Sequence, residues 1–173
     1  MNDSTSARRY ARAIIETATD TLAVRDQLVA ISGALKANRA LFDALANPGV
    51  PAANKKAMTT AVFQDLSLPL PRLLEMLIDA SRTELIHEIA RRYRDEWNAR
   101  NNVHAAVVTT ALELDDEGTE RVRQAIEKAV SGPVEMTVST DTSLVGGLKV
   151  EVDGHLFDGT VKARLKALRQ HLL

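Results

Sequence analysis

DTSLVGGLKVEVDGHLFDGTVKARLKAL, residues 141–168, reads as a strand, a glycine interruption, a second strand, a turn and a helix. Leu148, Val150 and Val152 alternate with Lys149, Glu151 and Asp153, the two-residue period of a half-buried strand. An extended entry through Asp141 and Ser143 precedes it, so two adjacent strands are expected on either side of Gly146-Gly147. Asp153-Gly154 is hairpin-turn chemistry, because glycine accepts the positive φ such turns need. Asp158 is placed to cap a helix by accepting from the free N–H groups of its first turn. From there Val161, Leu165 and Leu168 recur at helical spacing as an apolar stripe. The glycine pair is followed by neither Lys-Ser/Thr nor a third glycine, as a phosphate cradle would require. A bulge or close backbone packing explains it better.

Working back from this stretch, the extended run VHAAVVTTALEL (103–114) includes Val103, Ala105, Val107, Leu112 and Leu114, with paired threonines favouring strand over helix. DDEGTERVRQAIEKAV (115–130) reads as a helix whose acidic start suits the positive end of the helix dipole. Gly132-Pro133 ends it, and VEMTVSTD alternates as another strand. Strand, helix, strand, strand, helix is a small α+β domain over 103–173.

The first hundred residues keep a helical period throughout. Ala7, Tyr10, Ala11, Ile14 and Ala18 make one stripe, and its alanines let another helix approach closely. Tyr10 within that stripe is either core with its hydroxyl at the edge or an anchor for a guest helix. Further helices are expected over 21–37 (Leu22, Val24, Leu28, Ile31 and Leu35 inward), 39–46, and from Pro51 to about Asp65 (Ala57, Met58, Ala61 and Val62). RLLEMLIDA follows, with Leu70, Leu73, Leu74 and Leu77 on one side and Met76, Ile78 and Ala80 on another. A helix apolar on two sides is buried on both, by core or by a partner. The sixth helix, 83–100, turns Leu85, Ile86, Ile89, Ala90, Tyr93 and Trp97 inward. Together these give a mostly α chain: a six-helix bundle over 1–102, then the smaller α+β domain.

Composition narrows the function classes. The 173 residues carry a net charge of −1, which argues against general nucleic-acid or anionic-membrane binding. Cysteine is absent, which removes disulfides, thiolate metal sites and thiol nucleophiles. No apolar run reaches the ~18 residues of a membrane span. The histidines at 87, 104, 155 and 171 are scattered, and Arg91 stands where a zinc-protease helix needs its second histidine. No serine sits in a G-x-S-x-G setting. Arg91, Arg92 and Arg94 read most simply as a solvated face. The residues thus describe a binding or connecting protein, with no catalytic constellation, cofactor site or metal site.

ARRYARAI (Ala7–Ile14), the helix end Tyr93–Asn98, VVTTALEL, DTSLVGGLKV and FDGTVKARL occur in an order that resembles the delta subunit of bacterial F-type ATP synthases. The mitochondrial counterpart is the oligomycin sensitivity-conferring protein. The likeness spans essentially the whole chain, and its specific part is the set Ser143, Gly146, Gly147, Asp158, Gly159 and Arg164. Thr160 stands where the family usually has serine, Lys162 where arginine is frequent, and Asn101-Asn102 at a joint that commonly contains glycine. The resemblance implies a non-catalytic connector of the proton-translocating complex. Its N-terminal domain would grip an N-terminal helix of an alpha subunit between the first and fifth helices, here Tyr10, Ala11 and Ile14 facing Leu73, Leu74, Leu77 and Ile78. Its C-terminal domain would meet the C-terminal helices of the b subunits. It further implies no cofactor, no nucleic acid, and a place at the cytoplasmic face of the cell (inner) membrane through partners alone. Without the resemblance, the runner-up is a small-ligand regulatory module using Gly146-Gly147 and the helix that starts at Asp158.

Overall fold

The computed structural model describes residues 3–171, with side chains over 4–166. The chain forms two compact units, 1–97 and 98–173. Helices predominate: α1 (Asp3–Thr17), α2 (Thr21–Ala37), α3 (Arg39–Ala46), α4 (Ala52–Val62), α5 (Leu70–Asp79), a 3-10 turn (Thr83–Leu85) and α6 (Ile86–Arg100) precede β1 (His104–Thr110). Then follow α7 (Asp116–Val130), β2 (Val134–Thr140), β3 (Leu148–Val152), β4 (His155–Asp158) and α8 (Val161–His171). No described helix is long and apolar enough to cross a membrane.

Residues 1–97 are all-helical around one core. Val24, Leu28, Ile31 and Leu35 give α2 a buried stripe at spacings of four, three and four. Leu22 lies two residues before that stripe, on the opposite side of the helix, and is 47% exposed, contrary to the sequence expectation. Tyr93 is fully buried, and its hydroxyl donates to the Thr21 carbonyl at 3.0 Å. Trp97 donates from its indole N–H to Thr21 Oγ1, and the Arg25 guanidinium lies over its ring at 4.3 Å. The inner face of α4 is not the expected one. Ala57, Ala61 and Val62 are exposed, and Lys55 and Thr59 are buried instead. A lysine stem is apolar enough to pack. The Thr59 hydroxyl is satisfied within its own helix, donating to the Lys56 carbonyl at 2.9 Å.

In residues 98–173 the strands form one mixed sheet in the order β2-β1-β3-β4. β1 pairs parallel with β2 across the α7 crossover, and antiparallel with β3. β3 and β4 form a hairpin over Asp153-Gly154, both at positive φ (48° and 83°). Ala106, Val108, Val150 and Val152 share the sheet face that packs with Ile126 of α7. Even-numbered positions of β1 therefore face inward, while Val107 is 46% exposed.

Two expectations about the second half need correction. Residues 141–147 are not a strand: Asp141 Oδ1 accepts from Ser143 N–H, and the Asp141 carbonyl accepts from Leu144 N–H. The aspartate side chain thus replaces a ladder partner with a local turn. The second strand of the pair is β4, beyond the hairpin turn. Leu112 is 78% exposed, because the chain turns after Thr110, whose hydroxyl donates to the Leu112 carbonyl at 2.7 Å. The two compact units divide between Trp97 and Asn98. Asn98 already belongs to the second unit, donating its amide to Glu135 at 2.7 Å and accepting from Val103 N–H.

Candidate functional site

The residues expected to line a groove are mostly core. Ala11 (2% exposed), Ile14, Leu73, Leu77 and Ile78 are buried, and Leu74 sits at the margin with 9%. Tyr10 alone among them is half-buried, packed against the core from its edge. Both the alanine-rich stripe of α1 and the leucines of α5 are therefore used inside residues 1–97. Met76, on the other side of α5, is 49% exposed. Leu74 borders a recess of about 480 Å3 with Lys56, Thr59 and Phe63 of the α4 side, and no α1 residue lines it. Lys56 Nζ also pairs with Asp79 at 2.7 Å.

The histidines have local structural partners. His87 Nδ1 stands 2.9 Å from Ser32 Oγ, and its ring tilts against Phe42. Burial, with Lys36 nearby, holds its pKa below the ordinary value. His104 Nδ1 is 2.6 Å from Asp153 Oδ2, while Asp153 Oδ1 accepts from Ala105 N–H. That pair ties the first residues of β1 to the β3–β4 turn. The hydrogen bond from His104 holds the Asp153 carboxyl below the usual carboxylate range, against a smaller opposing effect of burial. No group of three or more metal-ligating side chains occurs among the described residues.

The motif around Gly146-Gly147 proves to be a backbone joint. Gly147 has φ +83°, and a Cβ there would stand 2.6 Å from the Gly159 carbonyl oxygen and 2.9 Å from Thr160 Cα. Gly159 N–H donates to the Leu148 carbonyl, and Val161 N–H to that of Gly146, each at 3.0 Å. Only glycine permits both this conformation and this approach. Asp158 does not cap α8. Its Oδ1 accepts from Thr160 N–H, and it is the Thr160 hydroxyl that accepts from Ala163 N–H at 3.2 Å. Hydrogen bonds from the Thr160 side chain and backbone hold the Asp158 carboxyl low, and Ser143 does the same for Asp141. Among the motif residues, Ser143, Gly146, Gly147, Asp158 and Gly159 thus meet at the start of α8. Arg164, one turn into that helix, has an exposed side chain. Val161 (41%) and Leu165 (61%) are exposed too, and the Leu168 side chain lies outside the described residues, as does that of His171.

A further surface was not singled out by sequence reasoning. Val122, Ala125, Ile126, Ala129 and Val130 of α7, Leu148, Val150 and Val152 of β3, and Phe157 of β4 line an apolar groove of about 300 Å3. α7 packs closest to β2 and its Ile126 covers Val150 and Val152 of β3, which leaves the β4 side of this face open. Phe157 is 62% exposed at the rim. The available signal was Ala125 and Ala129, one turn apart on an apolar stripe, together with an aromatic three residues beyond the hairpin turn.

The comparisons with known proteins cover both units. The sequence model for "ATP synthase delta (OSCP) subunit" matches residues 7–172. Proteins named ATP synthase subunit delta are similar at full length. That of Syntrophus aciditrophicus is 32% identical, over 99% of this chain and 98% of its own. That of Myxococcus xanthus is 30% identical over 96% and 95%, and that of Desulfotalea psychrophila 28% over 99% and 98%. A chain in the cryo-EM structure of the Toxoplasma gondii mitochondrial ATP synthase hexamer shares the fold, with a TM-score of 0.69, 17% identity and 96% of each chain covered. With the match running unbroken from α1 into α8, the chain belongs to the ATP synthase delta (OSCP) subunit family.

Proposed function

We propose that this protein is the peripheral-stalk connector of an F-type, proton-translocating ATP synthase, holding the alpha/beta head to the b subunits and the membrane sector. The family match across the whole chain carries this reading. As a member of that family the chain is structural, and catalysis belongs to other subunits. Its mechanical task follows from rotary coupling: torque drives synthesis only if the head is kept from turning with the rotor. Strong, non-covalent attachment at two places is what that task needs.

In this reading residues 1–102 act as a six-helix bundle that grips an N-terminal helix of an alpha subunit beside α1 and α5. Helix-in-groove binding uses apolar anchors at helical spacing. Tyr10, half-buried at the edge of the core, is suited to that role. The fully buried members of the predicted set would support the surface from beneath rather than touch the guest. Residues 103–173 meet the C-terminal helices of the b subunits. The open groove between α7 and β3–β4 supports this, since it leaves an aromatic ring and alanine-floored apolar surface in water. The protein then sits at the cytoplasmic face of the cell (inner) membrane, peripheral and held there by its partners.

The test pairs two titrations of the full chain. An alpha-subunit N-terminal peptide, followed through Trp97 fluorescence, is expected to bind wild type and lose about tenfold or more in affinity with Tyr10→Asp. A soluble b-subunit fragment is expected to weaken similarly with Phe157→Asp. If neither partner binds wild type, the connector reading fails. A metabolite-binding module would not use Gly147 itself, because the backbone of Gly159 and Thr160 packs directly against it.

A further inference from the structure

We infer that residues 98–173 carry a second docking surface, a cleft between the 143–145 loop and the first turns of α8, and that it takes a carboxylate-rich amphipathic helix. It rests on the reading of this unit as the stalk-binding part, and adds a contact of different chemistry from the α7 groove. The cleft measures about 760 Å3 and is lined by Leu144 and Val145 together with Lys149, Lys162 and Lys166. Lys149 faces Asp141 and Asp158, whose carboxyls it helps to hold ionised. Lys162 and Lys166, one turn apart, make no ion pair with any described residue. Asp158 is the one acidic side chain among the described residues of the lining.

Val145 in the lining is 85% exposed, and Val161 and Leu165 of α8, outside the lining, are 41% and 61% exposed. Apolar side chains in water beside uncompensated cations fit a partner that presents leucines and carboxylates together. The surface is concave, whereas a basic helix that lies in a bilayer interface needs its apolar face free to enter a flat one. Nucleic acid fits less well, because no aromatic is among the described lining residues for base stacking and Asp158 repels phosphate.

The experiment titrates the full chain with the soluble b-subunit fragment at low and high salt, and with phosphatidylserine-containing vesicles. Wild type is compared with Phe157→Asp, Lys162→Glu/Lys166→Glu and Lys162→Gln/Lys166→Gln, with melting curves run alongside. At low salt the glutamate pair is expected to weaken fragment binding by about tenfold, and the glutamine pair by less. Both should flatten the salt dependence, which Phe157→Asp leaves unchanged. Lysine variants that bind like wild type, while Phe157→Asp does not, would overturn the cleft and leave the stalk reading standing. Failure of wild type to bind the fragment removes the stalk reading and the cleft with it. Lysine-dependent vesicle binding, with fragment binding unaffected, would assign the surface to lipid and overturn the helix proposal.

Discussion

Gly147 and Asp153 show how single residues hold the small sheet unit together. Gly147 combines a positive φ with a backbone neighbour where a Cβ would stand, whereas Gly154 has the same φ of 83° and open space around it. Gly147→Ala should therefore cost clearly more stability than Gly154→Ala. The second carries only the conformational penalty of about 1 kcal/mol, and urea unfolding of both variants checks the order. Asp153 has a different signature. Its carboxyl pKa is depressed in the folded chain, so its contribution is full above the unfolded value of about 4 and is lost as pH falls through the folded one. Asp153→Asn should flatten the decline of the urea midpoint between about pH 5 and 2. An identical decline in the variant would remove the His104–Asp153 pair from the account. The magnitude is modest, because the Asp153 side chain is 48% exposed and solvent screens the pair.

At the scale of elements, α5 separates two meanings of an apolar helix. Its leucines read equally as core or as a partner's seat, and the structure uses Leu73, Leu74 and Leu77 in the core. Leu74→Asp should accordingly lower the unfolding free energy by about 3 kcal/mol or more, because it places a charge in a packed site. Met76→Asp, on the 49% exposed side, should stay within about 0.5 kcal/mol of wild type. Equal melting temperatures for the two would contradict the burial pattern. α2, α3 and α7 were legible in the sequence almost to the residue, and the structure adds the caps that hold their starts: Asp20, Asn38 and Asp115 each accept from the following turn. α4 was legible as a helix but not in its orientation. Its sequence has no dominant apolar stripe, so neighbouring elements selected Lys55 and Thr59 as the inner face. β4 was missed because four residues after a turn carry too little alternation to register.

For the whole molecule, the proposed connector role requires two attachments that act separately. Tyr10→Asp should affect only the alpha-peptide titration and Phe157→Asp only the b-fragment titration. In each titration the double variant should show the loss of the corresponding single variant, unchanged within about 0.5 kcal/mol. A marked departure from additivity would mean that the two surfaces are energetically coupled. The local pattern of residues was sufficient for the class of the chain, for its helical first half and mixed second half, and for the motif that marks its family. Those features depend on periodicity, capping and turn chemistry, all of which act within a few residues. What only the tertiary structure decided was which apolar side chains are left uncovered. The α1 and α5 positions that read as a groove turned out to be largely buried, while Phe157, Val145 and Leu165 emerged as open surface. Solvent exposure depends on the packing of distant segments: α7 leans toward β2, and the glycine joint sets α8 against the 141–147 turn. No short window of sequence contains that information.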